Sequence, residues 1–241
     1  ATDADHAPAL AGLLEAARQA GRRSVAMDAA RRAQALPGAP LAFVAAPWLA
    51  VFAGDADAAL ALALPADAAM AGDPGRHVLR AEVALAAGDL EAADASLAIA
   101  VANDPKDPRA WFLLGKTSIL RGDLRVAVDD QLVRALVMFK RSRHVRGEAE
   151  TVNALGVGYA RLGQAGDALE QYEKALSLRR ALDDRRGVAS SLRNLAQLEL
   201  VRGDLDVAAR RLDEARGLIA ALGEDAGLAA GENELGLLED E

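Results

Sequence analysis

The chain has no cysteine among its 241 residues, which excludes disulfides, thiolate zinc sites and a cysteine nucleophile and leaves the redox compartment open. Aromatic residues make up only 3% of it. With alanine and leucine dominant, the composition favours helix and is poor in the residue types that strands prefer. The three histidines, His6, His77 and His144, lie far apart and lack the spacing of a metal site. A Gly-x-Ser-x-Gly elbow, a phosphate loop and a His-Glu-x-x-His pair are missing too. "GVGYARLG", residues 156–163, is rich in glycine, but no strand reads before it and its spacing is wrong for a dinucleotide fingerprint. The acid pairs Asp129-Asp130 and Asp183-Asp184 read as solvated helix faces rather than catalytic carboxylates. The expectation is a protein that is not an enzyme and uses no cofactor or metal.

An excess of positive charge is lacking as well. A net charge of -8 and a pI near 5.0 make a field that repels nucleic acid and anionic membrane. The first residues, ATDADHAP, include no initiating Met, so the chain is expected to be a piece or a processed product. No signal peptide can be judged from such a start, and the cytoplasm is the favoured compartment.

What is present is a hydrophobic content of 52%, enough for a sizeable core in one large domain or a repeat array. Small residues then decide between these. Gly54-Asp55, Gly88-Asp89 and Gly122-Asp123 follow one another at 34 residues, while Gly147, Gly187 and Gly227 follow at 40. A second ladder runs Ala81, Gly115, Gly156, Ala196 and Gly236, with steps of 34, 41, 40 and 40. Two ladders in phase over most of the chain mark a repeat protein.

Each unit reads as a helical hairpin. In "NALGVGYARLGQAGDALEQYEKAL", residues 153–176, helix A is predicted over 148–162 and helix B over 166–183. Gly163 is the left-handed residue that ends helix A. Gly156 lies where helix B crosses, so that a side chain would push the axes apart. Ala168, Tyr172 and Ala175 form the stripe of helix B that faces back, against Leu155 and Tyr159. Gly158 reads as an exposed or groove-facing position and Gly166 as a residue near the start of helix B.

These residues resemble the tetratricopeptide repeat family, whose pattern is Trp-x2-Leu-Gly-x2-Tyr, Gly, Ala-x3-Phe/Tyr-x2-Ala, Pro. "WFLLGKTSILRGDLRVA" supplies Trp111, Leu114, Gly115, Gly122 and Ala127, and later units supply Leu195, Ala196, Gly203, Ala208, Leu212 and Ala215. The helix A tyrosine survives only as Tyr159; its other slots hold Ala84, Ser118 and Glu199, and His77 falls where the family often has Trp. In the unit from Pro108 the helix B signature, Leu132, Ala135 and Leu136, runs one residue late, which predicts a bulge or shifted register. The 40-residue spacing resembles the arrays of kinesin light chains, LGN-type adaptors and bacterial regulators. The resemblance implies an all-α, right-handed superhelical solenoid of antiparallel helix hairpins. Its organisation is degenerate N-terminal helical repeats over 1–73, two units over 74–147 (the second extended), and two 40-residue units plus an unpaired terminal helix over 148–241.

Residues 1–73 fit least well. "SVAMDAARRAQAL" has the spacing of a helix B and "PLAFVAAPWLAVFAG" fills a helix A slot, with Pro47 and Pro65 expected to kink or shorten helices. The stretch from Ala33 to Gly54 carries no charge, but it is broken by Pro37, Pro40 and Pro47, so a membrane span is not expected. At the other end, "ENELGLLEDE" is a helix A with nothing to cover Leu235 and Leu238. It predicts self-association through that edge, or a further unit in a longer protein.

The resemblance also places helix A along a concave groove. Its inward positions fall on Arg109, Phe112 and Lys116; on Glu150 and Asn153; on Arg193 and Gln197; and on Asn233. Asparagines in such a row can offer donor and acceptor to an extended peptide, or can satisfy a neighbouring helix terminus. Arg109, Lys116 and Arg193 would form a positive strip beside Phe112. The basic run "KRSRHVR", 140–146, reads instead as cations recurring near the ends of long B helices, Lys140 with Arg180 and Arg146 with Arg186. A chaperone-tail clamp is not expected, because its slots hold Val78 and Glu82. The expected partner is a protein or extended peptide segment, and the expected role a scaffold in a larger bacterial signalling or regulatory protein. The alternative is a self-association or assembly element of a multiprotein complex, its groove filled by its own chain or a second copy, with an enzyme or lipid-binding role a distant third.

Overall fold

The computed structural model describes residues 23–34, 40–63 and 74–222. Asn233 and the terminal helix expected at "ENELGLLEDE" lie outside the described residues, as does Pro65. Every regular element among the described residues is helical. The chain divides into two compact units, Ala1–Pro105 and Lys106–Glu241.

The first unit holds α1 (Arg23–Gln34), α2 (Pro40–Ala53), α3 (Ala56–Ala63), α4 (Pro74–Ala86) and α5 (Leu90–Asn103). The Gly-Asp pairs make its turns. Gly54 adopts φ +81°, a conformation that is cheap only without a Cβ, and Asp55 then caps α3 by accepting from the Ala58 N–H at 3.0 Å. Gly88 and Asp89 repeat the device before α5, with Asp89 accepting from Ala92 at 2.9 Å. Pro47 does not break α2, which runs through it for 14 residues. The ring is buried and Trp48 beside it packs with Ala59, Ala63 and Val83, so tertiary burial offsets the lost backbone bond.

The second unit is three hairpins: α6 (Pro108–Arg121) with the composite helix α7 (Leu124–Val126), a π turn (Ala127–Gln131) and α8 (Leu132–Arg141); α9 (Val145–Arg161) with α10 (Ala165–Ala181); and α11 (Arg185–Arg202) with α12 (Leu205–Ala221). The π turn lies where the helix B signature slips by one residue, and it absorbs the extra residue. It does so usefully. Leu132 reaches Gly115, where a Cβ would lie 2.5 Å from its Cδ2, and Val128 reaches Gly158 on α9. Gly158 is therefore buried between hairpins, not exposed or groove-facing as its position in the sequence suggested. Gly156 sits under the Tyr172 ring, 2.6 Å from an added Cβ, and Gly166 is in the first turn of α10 with open space around it.

Hairpins join through a second repeated corner. His144 and Asp184 are the N-caps of α9 and α11, and their Nδ1 and Oδ1 accept from Gly147 at 2.9 Å and Gly187 at 3.0 Å. The end of each preceding B helix covers that glycine: Phe139 lies over Gly147 and Arg179 over Gly187. This corner corrects one expectation. Lys140 and Arg180 do end B helices, but Arg146 and Arg186 begin the A helices α9 and α11, where a cation opposes the helix dipole.

Candidate partner-binding face

Within the second unit the A helices α6, α9 and α11 approach one another closely, whereas the B helices are held together mainly by long side chains. Arg180 bridges α10 to Glu214 of α12 at 2.7 Å, and Arg211 bridges α12 to Glu173 of α10 at 2.8 Å. A cleft of about 400 Å³ lies beneath these pairs, over Leu176, Leu192 and Val207. The A side is therefore the inner face of this unit. Arg211 also reaches buried Glu199 at 2.8 Å, which explains the glutamate in the slot where α9 has Tyr159: an ion pair replaces an aromatic.

On the A face, Arg109 is exposed and Phe112 half-buried, with the Lys116 ammonium 5.7 Å from the centre of the Phe112 ring, a cation–π distance. Arg109 and Lys116 both act on Glu150 of α9, as do Arg146 and Arg179. Burial pushes the Glu150 carboxyl above its ordinary range against the pull of those four cations. The continuous positive strip expected from sequence is thus interrupted by an acid. Arg193 and Gln197 lie exposed on α11, and no contact brings them to the Arg109–Lys116–Glu150 cluster among the described residues. In the first unit, Val78 and Glu82 are buried rather than open to a groove.

Asn153, one turn beyond Glu150, has an occupied carbonyl. Its Oδ1 accepts from Arg179 Nη1 at 3.3 Å and from Asn194 Nδ2 at 3.1 Å. Arg179 is buried and also donates to the Gly187 carbonyl at 2.9 Å and to Ser191 Oγ at 2.8 Å. The Asn153 oxygen is thus tied into a side-chain network that joins α9 to α10 and α11. The register held a signal for it, since Arg179 occupies the slot that holds Phe139 and Ile219 forty residues away on either side. Among the described residues no group of three or more acids or histidines is placed to hold a metal.

Glycine-ended helical hairpins stacked with their A helices inward define a solenoid repeat protein. Residues 147–219 match the family model described as tetratricopeptide repeat, and the fold of the described residues is that of tetratricopeptide repeat solenoids. Solved structures agree. The thermophilic TPR protein TTC0263 of Thermus thermophilus is similar at TM-score 0.61 and 24% identity, over 77% of this chain and 98% of that one. The APC/C hetero-tetramer Cut9-Hcn1 aligns at TM-score 0.69 and 16% identity, over 96% of this chain and 43% of that one. BtubC (BKLC) from P. vanneervenii aligns at TM-score 0.57 and 19% identity, over 100% and 99%. No curated protein matches the sequence. No helix among the described residues is long and apolar enough to cross a membrane.

Proposed function

We propose that this chain is a protein–protein interaction scaffold whose A face in the second unit holds an extended peptide segment, acidic with an apolar anchor. The observation that carries this reading is the cluster of Arg109, Lys116 and Phe112 on one A helix with Glu150 on the next. Charged and amide groups gathered on an inner face add little to folding, whereas they fix register and specificity for a bound chain. An apolar ring beside them supplies affinity. Cut9-Hcn1, similar in fold, is a subunit assembly, which supports the scaffold reading. The arm of a larger bacterial signalling or regulatory protein, in the cytoplasm, is the setting this reading assigns; the bias toward alanine, arginine and glycine supports a high-GC source.

The test is capture on an array of random-sequence peptides. Wild type should select acidic peptides that carry a large apolar residue. Arg109→Glu with Arg193→Glu should lose that selection, while Arg125→Glu with Arg210→Glu, both on B helices, should keep it. Equal losses in the two pairs, or none in either, would show that the A face is not the site. A second reading, assembly with another copy, is favoured by the exposure of Leu200, Val201 and Leu205 around one turn, with Val201 77% accessible. A sedimentation coefficient independent of concentration would exclude it.

A further inference from the structure

A guanidinium can only donate, and Arg179 is buried among acceptors. Its Nη1 has two hydrogens and three acceptors, so the longest contact, to Asn153, is a shared one. Asn194 aims a second donor at the same oxygen. Asn194 is an amide and could turn with Asn153, but Arg179 cannot accept, so its contact opposes the flipped amide, which would set N–H against N–H. The Asn153 carboxamide is therefore held with its oxygen inward, and its remaining hydrogen-bonding capacity toward the face is N–H.

We propose that Arg179 is a positioning residue that makes the A face selective for hydrogen-bond acceptors, the carbonyls and carboxylates of an extended acidic segment, by locking Asn153 as a donor. This selectivity rests on the A face being the peptide site. Arg109 and Lys116 are donors too, which leaves Glu150 the one carboxylate in the cluster. A basic segment would meet donors with donors. Burial lowers the Arg179 pKa from the ordinary arginine value, and Asp184 and Glu150 oppose that shift. The repeat itself supplies a substitution the corner can hold, because the same slot over Gly147 is filled by Phe139.

Two measurements test this. The first uses fluorescent decapeptides alternating Leu with Asp or Leu with Lys. Wild type should bind the Asp peptide at least about tenfold more tightly than the Lys peptide. Arg179→Phe should reduce that preference to about threefold or less, Arg179→Lys should restore most of it, and Asn153→Asp, which keeps an inward oxygen but presents an outward acceptor, should lose it. A folded Arg179→Phe protein with the wild-type preference would overturn the proposal. The second needs no peptide and reads thermal midpoints. Asn153→Asp should be tolerated with Arg179 present and should lower the midpoint markedly with Phe at 179, because the inward carboxylate then has no cation. Equal shifts in the two backgrounds would overturn the positioning role. If Arg179→Phe does not fold, the same cycle is run with Arg179→Gln. Wild type that binds neither peptide would sink the A-face reading, and with it the selectivity, while the thermal cycle still decides whether Arg179 orients Asn153.

Discussion

Glu150 is held where its charge is awkward. Its carboxyl gives up a proton at higher pH when folded than when unfolded, because burial outweighs four neighbouring cations. The folded state therefore keeps that proton over an interval above the ordinary glutamate value, and ionisation works against folding as pH rises through it. Glu150→Gln should raise the thermal midpoint at pH 7, with the gap between the two curves narrowing as pH falls and levelling off below about pH 4, under the ordinary glutamate value. A variant less stable than wild type at pH 7 would mean that the cations, not burial, dominate. His144 is a simpler case. It fills the cap position that Asp184 fills forty residues later, so His144→Asp should be tolerated, whereas His144→Ala should cost about 1 kcal/mol. Urea unfolding separates the two.

At the scale of the helix, the tightest packing is also the most exposed to substitution. Gly156→Leu and Gly115→Leu would drive side chains into Tyr172 and Leu132, and each should cost about 1–3 kcal/mol or more. An unchanged midpoint in either would contradict the crossing described here. The π turn is the second element with a consequence. It turns Val128 toward Gly158 and leaves Leu132 over Gly115. Deleting Asp129, an exposed residue inside the turn, should restore α-helical register and rotate the residues before it off their partners. The expected loss is about 2 kcal/mol, the scale of a vacated core position. A deletion that leaves stability intact would show that the turn is merely tolerated. The turn was legible in the sequence because the helix B signature arrived one residue late. Its packing role was not legible, since the partner of Val128 lies on another hairpin.

For the whole molecule, repetition accounts for what could be read from the chain. Glycines at 34- and 40-residue intervals mark turns and crossings, and turn geometry and close approach are local demands that each repeat states again. The hairpins and the small-residue crossings therefore followed from the repeat spacing, while the inward side of helix A was what the family resemblance implied. The chemistry of the inner face did not. Whether Arg109 and Lys116 stand as bare cations or face Glu150, and whether Asn153 offers its oxygen or its N–H, depends on side chains brought together from α6, α9, α10 and α11. Those neighbours are separated by up to 41 residues in the network around Asn153, and their mutual field and hydrogen bonds exist only once the hairpins stack. Periodicity determined which residues could share a face. The tertiary structure decided their polarity, because electrostatics and hydrogen bonding act through distances in space that the spacing of a sequence does not contain.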